Sequence, residues 1–209
     1  MAFDAASLRL CLVTDRGLAA GRSVIDIALA AAHGGATMVQ LREKDATTRA
    51  FVEQARALKA ALAPLRVPLA INDRLDVALA VDADGLHVGQ DDMPVDEARR
   101  LLGPGKFIGL SITAVDQVLR PDAAAADYLG VGPIYAQRTK EDAAAPLGIE
   151  GLRRLRGLTG KPIVAIGGLT PDNSAPALAA GADGLAVVSS IVAAGDPEAA
   201  ARRFAALFG

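Results

Sequence analysis

Two short acidic segments stand just beyond apolar runs. Asn72-Asp73-Arg74 follows the run 69–71, and Gln90-Asp91-Asp92 follows the run 86–88. Two carboxylates brought side by side repel unless a cation or a proton lies between them. Oxygen donors without a histidine cluster suit Mg²⁺, which keeps waters and takes one or two carboxylates together with substrate phosphates. The competing reading is local: Asp73 and one of Asp91 and Asp92 stand just before helical patterns, where aspartate is a good N-cap. Arg42 and Lys44, within Gln40-Leu41-Arg42-Glu43-Lys44-Asp45, and Lys140, within Gln137-Arg138-Thr139-Lys140, supply cations that would balance a diphosphate. Any one of them alone reads as a solvated surface charge. Gly167-Gly168 lets backbone N–H groups come close to a ligand, and Ser189-Ser190 adds hydroxyls. The alternative for the glycine pair is a tight turn. Ser111 ends a further apolar run.

What must position these residues is a series of eight apolar runs, 8–13, 38–41, 69–71, 86–88, 107–110, 128–131, 163–166 and 185–188. They alternate with helical patterns over 23–33, 48–63, 75–81, 95–102, 115–119, 149–158, 173–180 and 197–207. Ser23 is a predicted N-cap and Gly34 a predicted stop. Strict alternation implies parallel strands with crossover helices. Eight units point to an α/β fold, a single-domain (β/α)8 (TIM) barrel spanning residues 1–209. A doubly wound sheet is the alternative, but no G-x-G-x-x-G follows the first run. The polar residues above all fall at the carboxyl ends of predicted strands, where this barrel carries its active sites. Gly35-Ala36-Thr37, Asp82-Ala83-Asp84, Ala125-Ala126-Asp127 and Gly181-Ala182-Asp183 each precede an even-numbered strand, which suits a quarter-barrel repeat. Residues 136–148 form the longest irregular segment, and a lid over bound substrate is the expectation there.

Composition narrows the function classes. With 22 basic and 24 acidic residues among 209, no excess of positive charge favours nucleic acid. Cys11 is the single cysteine and there are two histidines, so neither an intrachain disulfide nor a His- or Cys-rich metal site is expected. No apolar run approaches the roughly 20 residues of a membrane span, and the start of the chain is a poor signal peptide. A soluble cytoplasmic protein is expected. His87, within a predicted strand, reads as a satisfied core or layer residue, and Cys11 as a small buried apolar group.

Taken together, the segments resemble the thiamine-phosphate synthase family. The matching stretches are Val39-Gln40-Leu41-Arg42-Glu43-Lys44, Ile71-Asn72-Asp73-Arg74, Gly85-Leu86-His87-Val88-Gly89-Gln90-Asp91-Asp92, Gly109-Leu110-Ser111, Gly130-Val131-Gly132-Pro133-Ile134-Tyr135, Thr139-Lys140, Ile166-Gly167-Gly168 and Gly181-Ala182-Asp183-Gly184, in order along almost the whole chain. The resemblance implies a Mg²⁺-dependent transferase of thiamine biosynthesis. Such an enzyme condenses hydroxymethylpyrimidine diphosphate with a thiazole phosphate, or its carboxylate form, to thiamine phosphate and diphosphate. It implies that Gln40, Leu41, Arg42, Glu43, Lys44, Asn72, Ser111 and Lys140 contact the pyrimidine diphosphate, with Arg42, Lys44, Ser111 and Lys140 acting in catalysis. Asp73 and Asp92 would hold Mg²⁺; Gln137, Arg138, Thr139, Gly168, Val188 and Ser189 would hold the thiazole phosphate. Only the resemblance suggests a homo-oligomer. Two positions depart from the family pattern: Thr113 stands where a histidine is frequent, and Gln137 where a threonine is frequent. The alternatives are a thiazole tautomerase-like paralogue, which would rely on a histidine, and a non-catalytic binder of thiamine intermediates.

Overall fold

The computed structural model describes residues 4–136 and 145–209. Eight parallel strands form one closed ring: β1 (Leu10–Val13), β2 (Met38–Leu41), β3 (Leu69–Asn72), β4 (Gly85–Val88), β5 (Phe107–Ile112), β6 (Tyr128–Val131), β7 (Ile163–Ile166) and β8 (Gly184–Val187). Each pairs with its neighbours in sequence, and β8 pairs with β1 through Leu10↔Leu185, Cys11↔Ala186 and Leu12↔Val187. Closure removes the unpaired sheet edge. Among the described residues the helices are α1 (Arg16–Ala19), α2 (Val24–His33), α3 (Thr48–Leu62), α4 (Leu75–Ala80), α5 (Val95–Leu102), α6 (Pro121–Ala125), α7 (Gly148–Arg156), α8 (Ala175–Ala179), α9 (Ser189–Val192) and α10 (Pro197–Ala205).

The strand period of two sorts every strand into two faces. Leu10, Leu12, Val39, Leu41, Leu69, Ile71, Leu86 and Val88 belong to the layer that the helices cover. Cys11, Val13, Met38, Ala70, Phe107, Tyr128, Val164 and Ala186 pack in the other cluster, inside the ring. With few aromatics available, the interior is filled by large side chains lying over glycines. A Cβ on Gly85 would overlap the Phe107 ring, and one on Gly109 would overlap Tyr128.

Several boundaries differ from expectation, each for a local reason. The first strand starts at Leu10 rather than Leu8, because Asp4 caps a 3-10 turn over Ala5–Leu8 by accepting from the Ala6 N–H at 2.9 Å. Asp15 caps the additional helix α1 by accepting from Leu18 N–H at 3.0 Å. The helical pattern over 115–119 is a 3-10 turn, Val115–Leu119, and an additional helix, α6, starts separately because Arg120 precedes Pro121 and is extended. Residue 188 leaves β8, and α9 begins directly after it.

The four-fold echo in the sequence has a single geometric cause. Thr37, Asp84, Asp127 and Asp183 each donate their backbone N–H to the preceding odd-numbered strand, at Leu10 O (2.8 Å), Leu69 O (3.0 Å), Ile108 O (2.8 Å) and Ile163 O (2.7 Å). The side chain of each accepts the N–H of that same residue: Leu10 at 2.9 Å, Leu69 at 2.9 Å, Ile108 at 2.7 Å and Ile163 at 2.7 Å. Each side chain thus satisfies a strand N–H at the amino end of the barrel, the end away from the polar loops. Asp84→Ala leaves the Leu69 N–H without its acceptor and should destabilise the protein by about 1–2 kcal/mol. Urea denaturation checks this; an unchanged midpoint would show that the clasp contributes nothing.

Candidate active site

The carboxyl ends of the strands surround an open cavity of about 460 Å³. From β2 the parity of the strand sends Gln40 inward and Leu41 outward into the helix-facing layer. Arg42 and Lys44 line the cavity, while Glu43 does not. The largely buried Glu43 carboxylate accepts from Arg16 Nε at 2.6 Å and from Asp45 N–H at 3.1 Å, tying the second loop to the first. Asn72 and Asp73 enter from β3, His87 from β4, Gln90, Asp91 and Asp92 from the loop after β4, and Ser111 and Thr113 from β5 and beyond. Of the expected pyrimidine-diphosphate contacts, the structure therefore gathers the Gln40, Arg42, Lys44, Asn72 and Ser111 side chains. Those of Leu41 and Glu43 point elsewhere. Gln137, Arg138, Thr139 and Lys140, with the lid expected around them, lie outside the described residues.

Gln40 is 5% exposed, and its amide nitrogen has no hydrogen-bond partner among the described residues. A buried donor without a partner costs about 1–3 kcal/mol, which an acceptor atom on a bound molecule would recover. Arg42 is held on three sides by the first loop. Its N–H donates to Thr14 Oγ1 at 3.0 Å, its carbonyl accepts from that hydroxyl at 3.4 Å, and its guanidinium pairs with Asp15 at 3.1 Å. Thr14 and Asp15 were not singled out in the sequence. Their signal was their position directly after β1, at the same end as every other polar loop.

The two aspartates do not cap helices, which corrects the local reading. The residue before α4 is Arg74, without a side-chain cap, and the residue before α5 is Pro94. The Val95 N–H is taken instead by Asp122 Oδ1 at 3.0 Å. Asp92 Oδ2 accepts from Gly89 N–H at 2.7 Å, which orients the carboxylate over the loop. Asp73 adopts a left-handed backbone, φ +63°, fixed by donation of its N–H to His87 O at 2.8 Å. Burial first, then a hydrogen bond to Asp92 and the Asp92 charge, push the Asp73 carboxyl up to about 6; Lys44 and Arg42 oppose the rise. The described residues contain no cluster of three or more His, Cys, Asp or Glu side chains suited to a metal. The donor set is thus two facing carboxylates that repel without an intervening charge, and it fits a hard cation completing its shell with waters and ligand oxygens.

A second cavity of about 210 Å³ adjoins the first, lined by Gly167, Gly168, Val188, Ser189 and Ser190. Gly168 has φ +66°, and a Cβ there would meet Tyr135 Cβ at 2.7 Å, so this turn requires glycine. The loops are knitted together: Ser190 Oγ donates to Leu169 O at 2.7 Å, Asn173 Nδ2 to Gly168 O at 3.0 Å, and Tyr135 N–H to Gly167 O at 3.0 Å. Below the main cavity, His87 contacts Tyr128 Oη and Ser111 Oγ. Burial pulls the His87 imidazole down to about 4, so it is neutral at pH 7, and holds the Tyr128 phenol well above its usual range. Burial also pushes Cys11 up to about 12, the state of an inert core thiol.

A closed (β/α)8 barrel whose strand ends converge on a cavity of paired carboxylates, cations and a glycine–serine loop pair defines a barrel of the enzyme type. The model of the thiamine monophosphate synthase family matches residues 10–191, and the chain belongs to that family. It is 55% identical over 197 residues to the thiamine-phosphate synthase of Albidiferax ferrireducens, covering 94% of this chain and 90% of that one. It is 56% identical over 199 residues to that of Chloroflexus aurantiacus, covering 95% and 92%. Among solved structures, the thiamine phosphate pyrophosphorylase from Pyrococcus furiosus superposes with a TM-score of 0.88 at 35% identity, covering 97% of this chain and 96% of that one.

The raised Asp73 carboxyl has a testable consequence. Because the folded state binds this proton more tightly than the unfolded one, ionisation of Asp73 destabilises the metal-free fold. Its contribution declines as pH rises from about 4 to about 6. Asp73→Asn keeps a residue that tolerates the left-handed backbone and removes the charge. Thermal unfolding in EDTA should show the variant more stable than the parent at pH 7, by about 1 kcal/mol after solvent screening, and indistinguishable at pH 4. A less stable variant at pH 7 would refute the repulsion.

Proposed function

We propose that the protein joins 4-amino-2-methyl-5-hydroxymethylpyrimidine diphosphate to 4-methyl-5-(2-phosphoethyl)thiazole, giving thiamine phosphate and diphosphate, in the cytoplasm. The observation that carries this reading is the main cavity, which gathers Arg42 and Lys44 beside the Asp73–Asp92 pair together with Ser111 and the Gln40 amide nitrogen, which has no partner among the described residues. A diphosphate needs the first arrangement and a heteroaromatic ring with lone-pair nitrogens needs the second.

In the reaction the methylene C–O bond breaks and its electron pair leaves on the diphosphate. The thiazole nitrogen lone pair then forms the new C–N bond. Electron release from the 4-amino group supports the cationic methylene between these events. Arg42, fixed by Asp15 and Thr14, and Lys44 stabilise the charge growing on the departing diphosphate, and Lys140 is assigned the same task. Asp73 and Asp92 would hold Mg²⁺, which when bound neutralises charge on diphosphate oxygens. Gly168, Val188 and Ser189, with Gln137, Arg138 and Thr139, take the thiazole phosphate and aim the ring nitrogen at the methylene. Orientation and fixed charge supply the acceleration, and no protein general base is required. The tautomerase alternative needs a working histidine. Thr113 occupies the position where one is frequent, and both His87 ring nitrogens are engaged.

The purified protein, given both substrates, should form thiamine phosphate with Mg²⁺ and none with EDTA. Arg42→Ala should lower kcat/KM about 10²-fold, the loss of one charge-assisted contact to the leaving group. Absence of product alongside clear substrate binding would overturn the synthase reading in favour of a carrier.

A further inference from the structure

Ser111 is joined to a buried pair, His87 and Tyr128, that the reaction chemistry leaves unused. His87 Nδ1 lies 2.9 Å from Tyr128 Oη, and Nε2 lies 2.9 Å from Ser111 Oγ. His87 is 9% exposed and Tyr128 is 2% exposed. Room for the ring comes from two neighbouring strands. A Cβ on Gly130 would stand 2.9 Å from His87 Cε1, and one on Gly109 would run into both His87 and Tyr128. Three adjacent strands, β4, β5 and β6, are thus shaped around one side chain.

We propose that His87 is a positioning residue that fixes the direction of the Ser111 hydroxyl, with Tyr128 as the anchored end of the chain. A neutral imidazole offers one donor and one acceptor, so its two partners cannot be served alike. A phenol is the stronger donor of the two hydroxyls, so Tyr128 O–H donates to Nδ1. That places the proton on Nε2, which donates to Ser111 Oγ. One Ser111 lone pair is then occupied, and its O–H is directed to an acceptor in the cavity. Ser111 therefore recognises a lone-pair atom of the ligand, such as a pyrimidine ring nitrogen, and discriminates against a ring bearing N–H at that position. This specificity assignment rests on the proposed pyrimidine substrate; the tautomer does not.

Two measurements separate these layers. Nitrogen-15 NMR of the labelled protein reads the tautomer without any substrate. With two histidines in the chain, a His33→Gln variant assigns the signals. The neutral Nε2–H form is expected for His87, becoming a mixture of tautomers in Tyr128→Phe; a dominant Nδ1–H form would overturn the proposal. Calorimetric titration with the pyrimidine diphosphate and Mg²⁺, without thiazole, reads the recognition. His87→Asn retains an amide near the Tyr128 side and should weaken binding roughly 10-fold, in line with one lost oriented hydrogen bond. His87→Gln restores a donor toward Ser111 and should come within about 3-fold of the parent. In a Ser111→Ala background, His87→Asn should add nothing further. Losses that multiply would show a merely structural role and overturn the assignment, with thermal unfolding confirming that each variant is folded. If the parent protein binds no pyrimidine diphosphate, the proposed function fails while the NMR result still decides the tautomer.

Discussion

The pairing of β8 with β1 is the constraint on which the rest depends. Once eight parallel strands close, each must present one face to the helices and the other to the ring interior, and every crossover must return over the outside. All eight carboxyl ends then meet at one mouth. The function of a residue in these loops follows from whether its strand position is odd or even. Gln40 and Leu41 are adjacent in sequence, yet one faces the cavity and the other the helices. The four Thr37, Asp84, Asp127 and Asp183 clasps hold the opposite end, so stability and chemistry occupy different ends of the same strands.

At the mouth the protein maintains features that are unfavourable in themselves. Asp73 is held in a left-handed conformation and faces Asp92 in a partly buried setting. Gln40 keeps an amide nitrogen without a partner among the described residues. Under the proposed function, each would become favourable beside a cation, a phosphate or a ring acceptor. Such sites are pre-organised: the surrounding barrel supports the arrangement before the ligand is bound. The Thr14–Asp15–Arg42 contacts serve the same end, limiting the freedom of a long cationic side chain.

The interior economises on aromatic residues by pairing them with glycine. Phe107 lies over Gly85 and Tyr128 over Gly109, and His87 fits beside Gly130. A polar chain from Tyr128 through His87 reaches Ser111 at the floor of the cavity, where an apolar layer would have left that hydroxyl free to rotate. A fully satisfied buried network restricts orientation more than it adds stability.

The sequence by itself determined the barrel. Eight apolar runs of strand length, alternating with helical patterns, admit few other topologies, and the polar residues after the second to eighth runs pointed to the mouth of the ring. It also determined the family, because many short motifs recur in order. What only the tertiary structure decided depends on contacts between distant segments. That the Val95 N–H at the start of α5 is taken by Asp122 rather than by a nearby aspartate depends on a contact across 27 residues. That Glu43 serves the loop framework follows from Arg16 lying beside it. That His87 touches Ser111 and Tyr128 follows from strands 24 and 41 residues away in the chain standing as near neighbours in the ring. Periodicity is a local property and can be read along the chain; partnership across the ring exists only once it has closed.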